Sequence, residues 1–153
     1  MEKLKQTKIL GIIGSILLII SVFLPMLVEK SILGEYSLNW IKTEGIFVVV
    51  LAVVNLILIF SDKLSDKIVF MEKLKNPKLI LIPTGMILIM LLLLTFSPGR
   101  LVASASGVSG SYAQMLETYL GEYIQFGIGF YIAWVGILLS AIHAVFHKTD
   151  ALD

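Results

Sequence analysis

The chain contains no cysteine, which excludes disulfides, thiolate metal ligands and cysteine nucleophiles. Charged residues are also scarce: they make up 15% of the 153 residues, whereas 58% are hydrophobic. Soluble domains usually contain about a quarter charged residues. The composition therefore predicts an integral membrane protein.

Asp, Glu, Lys and Arg are absent from four long apolar runs, which cover residues 9–28, 45–61, 79–99 and 124–146. A helix rises about 1.5 Å per residue and the hydrocarbon core of a bilayer is about 30 Å thick, so each run can cross a bilayer once. The second run is the shortest, and local thinning of the bilayer could accommodate it. We expect an all-α membrane protein, a bundle of four transmembrane helices that forms a single domain over residues 1–153.

The basic residues are distributed unevenly between the segments that connect these runs. With a cytoplasmic N-terminus, only Lys30, Lys42 and Arg100 lie outside the cell. The nine lysines on the inner side are Lys3, Lys5, Lys8, Lys63, Lys67, Lys73, Lys75, Lys78 and Lys148. Because cytoplasmic segments carry an excess of basic residues, this distribution predicts a multi-pass protein of the cell membrane with both termini in the cytoplasm.

The fourth run carries a stripe of small residues, spaced at steps of four, three, four and four, which would form one ridge on a helix. Its members are Gly129, Ala133, Gly136, Ser140 and Ala144. Such ridges allow close helix packing in lipid, here either inside the bundle or across a protomer boundary. Gly11 and Ser15 form a weaker pair of the same kind. Asn55 stands alone in the second run, and we interpret it as an ordinary interhelical hydrogen-bonding residue in preference to part of a polar path.

Two connecting segments lie on the outer side in this topology. In residues 29–44, apolar and polar residues alternate, which permits a short β-hairpin that turns near Gly34-Glu35. We favour the alternative in which Tyr36 and Trp40 anchor the chain at the membrane interface. In residues 98–123, an apolar stripe at helical spacing predicts an amphipathic helix and a partner-docking surface, formed mainly by Tyr112, Met115, Leu116, Tyr119 and Tyr123.

The connection on the inner side, residues 62–77, predicts an amphipathic helix that ends at Asn76-Pro77. Residues 71–80 repeat six of the ten residues of 1–10, a hint that two helical hairpins were duplicated. We favour the simpler interpretation that lysine-rich leaders are alike by composition.

The residue types that usually support catalysis, ion coupling or metal binding are missing from the four runs. They contain no Asp, Glu, Lys or Arg, and the chain shows no nucleotide-binding or hydrolase motif. His143 and His147 stand one helical turn apart, but no further ligand completes a metal site in the sequence. We therefore expect no enzyme activity, no cofactor, no metal and no nucleic acid partner. Scattered polar residues on four helices also disfavour a channel within one protomer.

The order of these signals resembles a group of small four-span membrane proteins of Gram-positive bacteria. The matching residues are Phe23-Leu24-Pro25, Glu44-Gly45, and a last span with Gly127, Gly129, Tyr131, Ala133 and Gly136. Met26 replaces the tryptophan that usually follows the proline. The layout is also similar to claudin-type proteins, although their tryptophan and paired-cysteine signature is absent. The resemblance implies the topology and supplies no activity.

These observations together lead to one expected function and one alternative. We expect a non-enzymatic membrane protein that acts by protein–protein interaction, as an accessory subunit, immunity factor or scaffold. Besides the lipid bilayer, its partner would be a membrane or extracytoplasmic protein or further copies of itself. The alternative is an oligomeric pore or membrane-perturbing effector.

Overall fold

The computed structural model describes residues 2–31, 34–64, 78–98 and 124–149. Four helices account for most of this part of the chain: α1 (Glu2–Phe23), α2 (Gly45–Leu64), α3 (Lys78–Phe96) and α4 (Ile128–Thr149). Three strands, β1 (Pro25–Ser31), β2 (Gly34–Asn39) and β3 (Ile124–Phe126), form a small sheet. A 3₁₀-helix, Trp40–Lys42, connects β2 to α2. The prediction of a mainly helical protein with four helices is confirmed.

The four helices form a ring in which each packs against two neighbours. α1 lies between α2 and α4, and α3 closes the ring on the other side. The α1–α4 contact is by far the most extensive. The first and last helices of the chain therefore form the central seam of the bundle.

Three helices contain stretches long and apolar enough to cross a membrane: Gln6–Phe23 of α1, Leu79–Phe96 of α3 and Ile128–Phe146 of α4. The apolar stretch of α2, Gly45–Phe60, is shorter. Runs of Leu, Ile and Val without charge favour helices here because a helix satisfies every backbone hydrogen bond within its own segment.

The sheet has the order β2-β1-β3, and both pairings are antiparallel. β1 and β2 form the hairpin that the alternation permits, although we favoured the interface-anchor alternative. Ser31 pairs with Gly34, so the connection between the strands comes directly before Gly34, near the expected position. β3 comes from the other half of the chain and pairs with Leu27, Val28 and Glu29.

Two helix boundaries differ from the prediction. α1 ends at Phe23, and residues 25–28 belong to β1 instead of the first apolar run's helix. Pro25 explains this, because proline lacks the N–H that a helix needs and disfavours helical backbone in the residue before it. Residues 124–126 are likewise strand, and α4 begins only at Ile128.

Trp40 is buried in the main core with 1% of its surface exposed. The interpretation of Trp40 as an interface anchor is therefore wrong. Its carbonyl lies so close to Gly45 that a Cβ there would be 2.6 Å from the Trp40 oxygen. The side chain of Tyr36 lies outside the described residues.

Two predicted segments fall largely outside the described residues. Residues 62–64 of the inner connection continue α2, and residues 65–77 are not described. The stripe predicted as a docking surface, which contains Tyr112, Met115, Leu116, Tyr119 and Tyr123, also lies outside the described residues.

Candidate functional site

The distribution of polar and apolar side chains is inverted relative to a soluble bundle. Each of the four helices exposes at least five large apolar side chains; Ile16, Phe47, Ile89 and Val135 are examples. The buried polar side chains in the described part of the chain are Ser15, Ser21, Asn55, Thr84, Ser140 and His143. Polar groups thus gather inside the bundle, away from its apolar outer surface.

All five residues of the predicted ridge on α4 lie inside the bundle. Ala133 belongs to the main core, and Ala144 packs with Leu58 and Ile80 near the end of the bundle away from the sheet. The two glycines of the ridge, Gly129 and Gly136, lie against α1 and the residues that follow it. A Cβ at Gly129 would lie 2.8 Å from the Ser21 carbonyl oxygen. The ridge is therefore used within the protein.

Gly14 and Gly136 form the closest point of the α1–α4 seam. A Cβ at Gly14 would lie 2.7 Å from the Gly136 carbonyl oxygen, and a Cβ at Gly136 would lie 2.9 Å from the Gly14 carbonyl oxygen. Only glycine at both positions lets the backbones meet at this distance. Gly136 belongs to the predicted ridge, whereas Gly14 was not predicted as a packing residue, although Gly11 and Gly14 are spaced by three residues and so lie on one helix face.

His143 is fully buried in the same seam, and its ring lies over Gly11. A Cβ at Gly11 would be 2.5 Å from the His143 Cδ2 atom. Gly11, predicted as a packing residue, thus makes room for an imidazole. The side chain of His147 is not described, and within the described residues no cluster of three or more His, Cys, Asp or Glu could hold a metal ion.

Asn55 is the centre of a polar layer between the helices. Its side-chain Nδ2 lies 3.4 Å from the Ser15 Oγ on α1 and 3.5 Å from the Thr84 Oγ1 on α3. All three side chains are buried. These contacts agree with the interpretation of Asn55 as an interhelical hydrogen-bonding residue, and its partners are far apart from it in the sequence. Ser15, predicted as a helix-packing residue, instead directs its hydroxyl into this layer.

The hydrogens in the layer are distributed consistently. Ser15 Oγ donates to the Gly11 carbonyl at 2.9 Å, and Thr84 Oγ1 donates to the Ile80 carbonyl at 2.9 Å. Each hydroxyl therefore uses its own hydrogen in this bond, and towards Asn55 it can only accept a hydrogen bond. The amide NH₂ group has two hydrogens, one for each hydroxyl. In a flipped amide, the oxygen would face two hydroxyls that have no hydrogen left to donate. The hydrogen bonds of the two hydroxyls therefore support the orientation of the Asn55 amide.

Thr84 follows Pro83, which lies inside α3. A proline at this position leaves the carbonyl of Leu79 without its helical donor. The hydroxyl of Thr84, the next residue, is one group that could satisfy that carbonyl. The hydroxyl bonds to the Ile80 carbonyl instead, so its role lies in the polar layer.

Towards the sheet, the polar layer is followed by densely packed apolar side chains. Leu18, Val22, Met26, Trp40 and Val48 all expose 1% of their surface or less. These residues belong to one cluster that also includes core residues of α3 and α4. The layer is therefore an internal hydrogen-bonding site, and His143 is the titratable side chain that is buried in the described part of the bundle.

Comparison of the chain with family models, with curated proteins and with solved structures finds no match.

Proposed function

We propose that this chain is a multi-pass protein of the cell membrane that crosses the bilayer four times, with both termini in the cytoplasm, and acts by protein–protein interaction without catalysis. The observation that supports membrane insertion is the inverted side-chain distribution. Large apolar side chains are exposed on all four helices, while serine, threonine, asparagine and histidine are buried between them. Such a surface would be insoluble in water and is matched to lipid.

The short apolar stretch of α2 fits this proposal. Gly45–Phe60 contains 16 residues, which at about 1.5 Å per residue span about 24 Å. This is less than the hydrocarbon thickness of about 30 Å, and thinning of the bilayer together with an outward-reaching lysine compensates for such a mismatch. Lys42 is exposed just before α2 and is placed to do this.

A role in protein–protein interaction is favoured by one edge of the small sheet, which pairs with no other described strand. Its small-residue ridge is used internally, so a partner has to be recognised elsewhere. The sheet stands at the end of the bundle where α1 ends and α2 and α4 begin, which is the outer end in the proposed topology. β1 is paired on both sides, whereas β2 pairs with β1 alone among the described strands. The other edge of β2 offers backbone donors and acceptors to an extended segment of a membrane or extracytoplasmic protein.

Site-specific photo-crosslinking in native membranes tests this proposal. A photoreactive residue at Ser37, which is exposed on β2, should yield a discrete protein adduct. The same residue at Ile89, which is 58% exposed in the middle of α3, should react with lipid. Replacing Tyr112, Tyr119 and Tyr123 with alanine should weaken the Ser37 adduct if the proposed docking stripe contributes to the same surface.

The alternative of an oligomeric pore predicts a different result. Ser37 would then give adducts only with other copies of the chain, and purified protein in liposomes would conduct ions. Ion conduction would count against a role in interaction alone, while leaving the four-span arrangement intact.

A further inference from the structure

Asn55 and Ser140 are both fully buried, and they lie on helices that are opposite each other in the ring. Asn55 on α2 reaches both of its neighbours, α1 and α3, so its amide lies near the bundle axis. Ser140 on α4 lies beside Gly14: a Cβ at Gly14 would be 2.6 Å from the Ser140 Oγ. Gly14 is adjacent in sequence to Ser15, the partner of Asn55. The two side chains therefore lie at the same level of the bundle.

Each of these residues has a buried polar atom without a hydrogen-bond partner in the described part of the protein. The atoms are Asn55 Oδ1 and Ser140 Oγ, and both residues are 0% exposed. The neighbouring hydroxyls cannot serve Asn55 Oδ1, because Ser15 and Thr84 have donated their protons to their own helices. A buried carbonyl oxygen and a buried hydroxyl without partners are unusual in folded proteins and point to a bound group.

We infer that the polar layer holds a buried water molecule between Asn55 Oδ1 and Ser140 Oγ. A water can donate one hydrogen to the amide oxygen and use its second hydrogen or a lone pair for the serine hydroxyl. Buried waters typically make about three hydrogen bonds to polar groups that would otherwise lack partners. The site requires only that the bundle is formed as described, so it is independent of the partner proposed above.

A metal cation fits this site less well than water. The oxygen atoms in the layer belong to an amide and to hydroxyl groups, and the buried polar side chains of the described residues include no carboxylate. Ca²⁺ and Mg²⁺ prefer sites with carboxylates, and an uncompensated charge at membrane depth is costly. A neutral ligand with both donors and acceptors satisfies the two atoms without such a charge.

The water would connect two helices that are not neighbours in the ring. α2 and α4 lie across the ring from each other, and their strongest contacts are with α1 and α3. A water bridge from Asn55 to Ser140 would join α2 to α4. The four helices would then be joined at one level by a continuous hydrogen-bonded network of Ser15, Asn55, Thr84, water and Ser140.

A crystal structure from a lipidic phase, at a resolution that shows ordered water, tests the inference directly. We expect one density peak within about 2.6–3.2 Å of both Asn55 Oδ1 and Ser140 Oγ. The peak should be absent in Ser140→Ala and in Asn55→Leu. It should persist in Ser21→Ala, a matched control, because Ser21 is equally buried but its Oγ donates to the Leu18 carbonyl at 2.7 Å.

Two outcomes would overturn the inference. A direct hydrogen bond between Asn55 and Ser140 with no additional density would show that the atoms satisfy each other. An anomalous peak at the site in crystals grown with Rb⁺ would identify a cation in place of water.

A solution measurement on the unmodified protein covers the case in which a variant fails to fold. In detergent micelles, the ¹⁵N-labelled side-chain amide of Asn55 should show a cross-peak with a long-lived water. Absence of that cross-peak, with the Asn55 signals assigned and the protein folded, would contradict the inference.

Discussion

Gly14 and Gly136 make the α1–α4 seam possible because each lies against the backbone of the other helix. The atoms nearest to a Cβ at Gly14 include the Gly136 carbonyl oxygen at 2.7 Å and the Ser140 amide nitrogen at 2.8 Å. Backbone atoms cannot rotate away as a flexible side chain can. A methyl group at Gly14 therefore has to separate the two helices.

We predict that Gly14→Ala lowers the free energy of unfolding by about 1–3 kcal/mol, the usual cost of overpacking a core. Gly85→Ala is the matched control, because a Cβ at this helical glycine meets nothing within 4 Å. It should be neutral or stabilising by up to about 1 kcal/mol, since alanine is the better helix former. Reversible unfolding in mixed micelles, followed by circular dichroism, measures both. Equal effects of the two substitutions would contradict the packing argument.

Asn55→Leu should be tolerated much better than its full burial suggests. Ser15 and Thr84 keep their bonds to the Gly11 and Ile80 carbonyls when the amide is removed, so neither hydroxyl loses its acceptor. Polar contacts between membrane helices contribute about 0.6 kcal/mol on average, with a maximum near 1.7. We predict a loss of unfolding free energy of about 1 kcal/mol in the same assay. Asn55→Asp should cost more because it places an ionisable carboxyl group in the core.

Helices and strands from the two halves of the chain pack directly on one another. α1 packs mainly on α4, and β1 pairs with β3, so elements from the first 31 residues meet elements from the last 30. Helices that are consecutive in the chain, α1 with α2 and α3 with α4, also pack on each other, but the most extensive contact joins the first helix to the last. Folding has to bring the ends of the chain together.

This arrangement predicts that two separately produced fragments of the chain can assemble with each other. Fragments 1–70 and 71–153, produced together in one membrane, should associate and copurify through the seam and the sheet. Gly14→Leu in the first fragment should abolish copurification, because the side chain would strike the α4 backbone. Gly85→Leu in the second should have no effect. Association that survives Gly14→Leu would show that the seam does not hold the halves together.

The sequence predicts the elements better than their ends. The helices follow from long uncharged runs, whereas the alternation around Tyr36 permits the hairpin without deciding for it. The end of α1 at Phe23 and the strand Ile124–Phe126 were missed, because both lie inside apolar runs that continue without a polar break. Hydrophobicity alone cannot separate strand from helix there, although Pro25 was a signal for the first boundary.

The polar layer was missed for a different reason. The ridge on α4 is visible in the sequence because all its members lie on one helix. Ser15, Asn55, Thr84 and Ser140 each lie on a different helix, and none has another polar residue directly beside it in the sequence. Their meeting depends on the order of the helices in the ring and on their depth, and neither is encoded in local spacing. Sequence reasoning accordingly treated them as scattered.

At the scale of the whole molecule, the proposed orientation in the membrane can be measured without background, because the chain has no cysteine to remove. Ser37 is exposed on the sheet, and Gln6 is exposed near the start of α1, at the opposite end of that helix. A membrane-impermeant thiol reagent should label Ser37→Cys in intact cells. It should label Gln6→Cys only after permeabilisation. The reverse pattern would mean that the basic residues do not set the orientation as proposed.

The junction between β3 and α4 has a mechanical consequence. A single residue, Gly127, separates strand from helix; its N–H donates to the Met26 carbonyl at 2.8 Å, and its carbonyl accepts from Phe130 at 3.1 Å. The rings of Phe126 and Phe130 stack across the junction with centroids 4.0 Å apart. Because a single hydrogen-bonded residue joins β3 to α4, we expect the strand and the helix to move together. A force on the sheet would then tilt α4 and disturb its glycine contacts with α1.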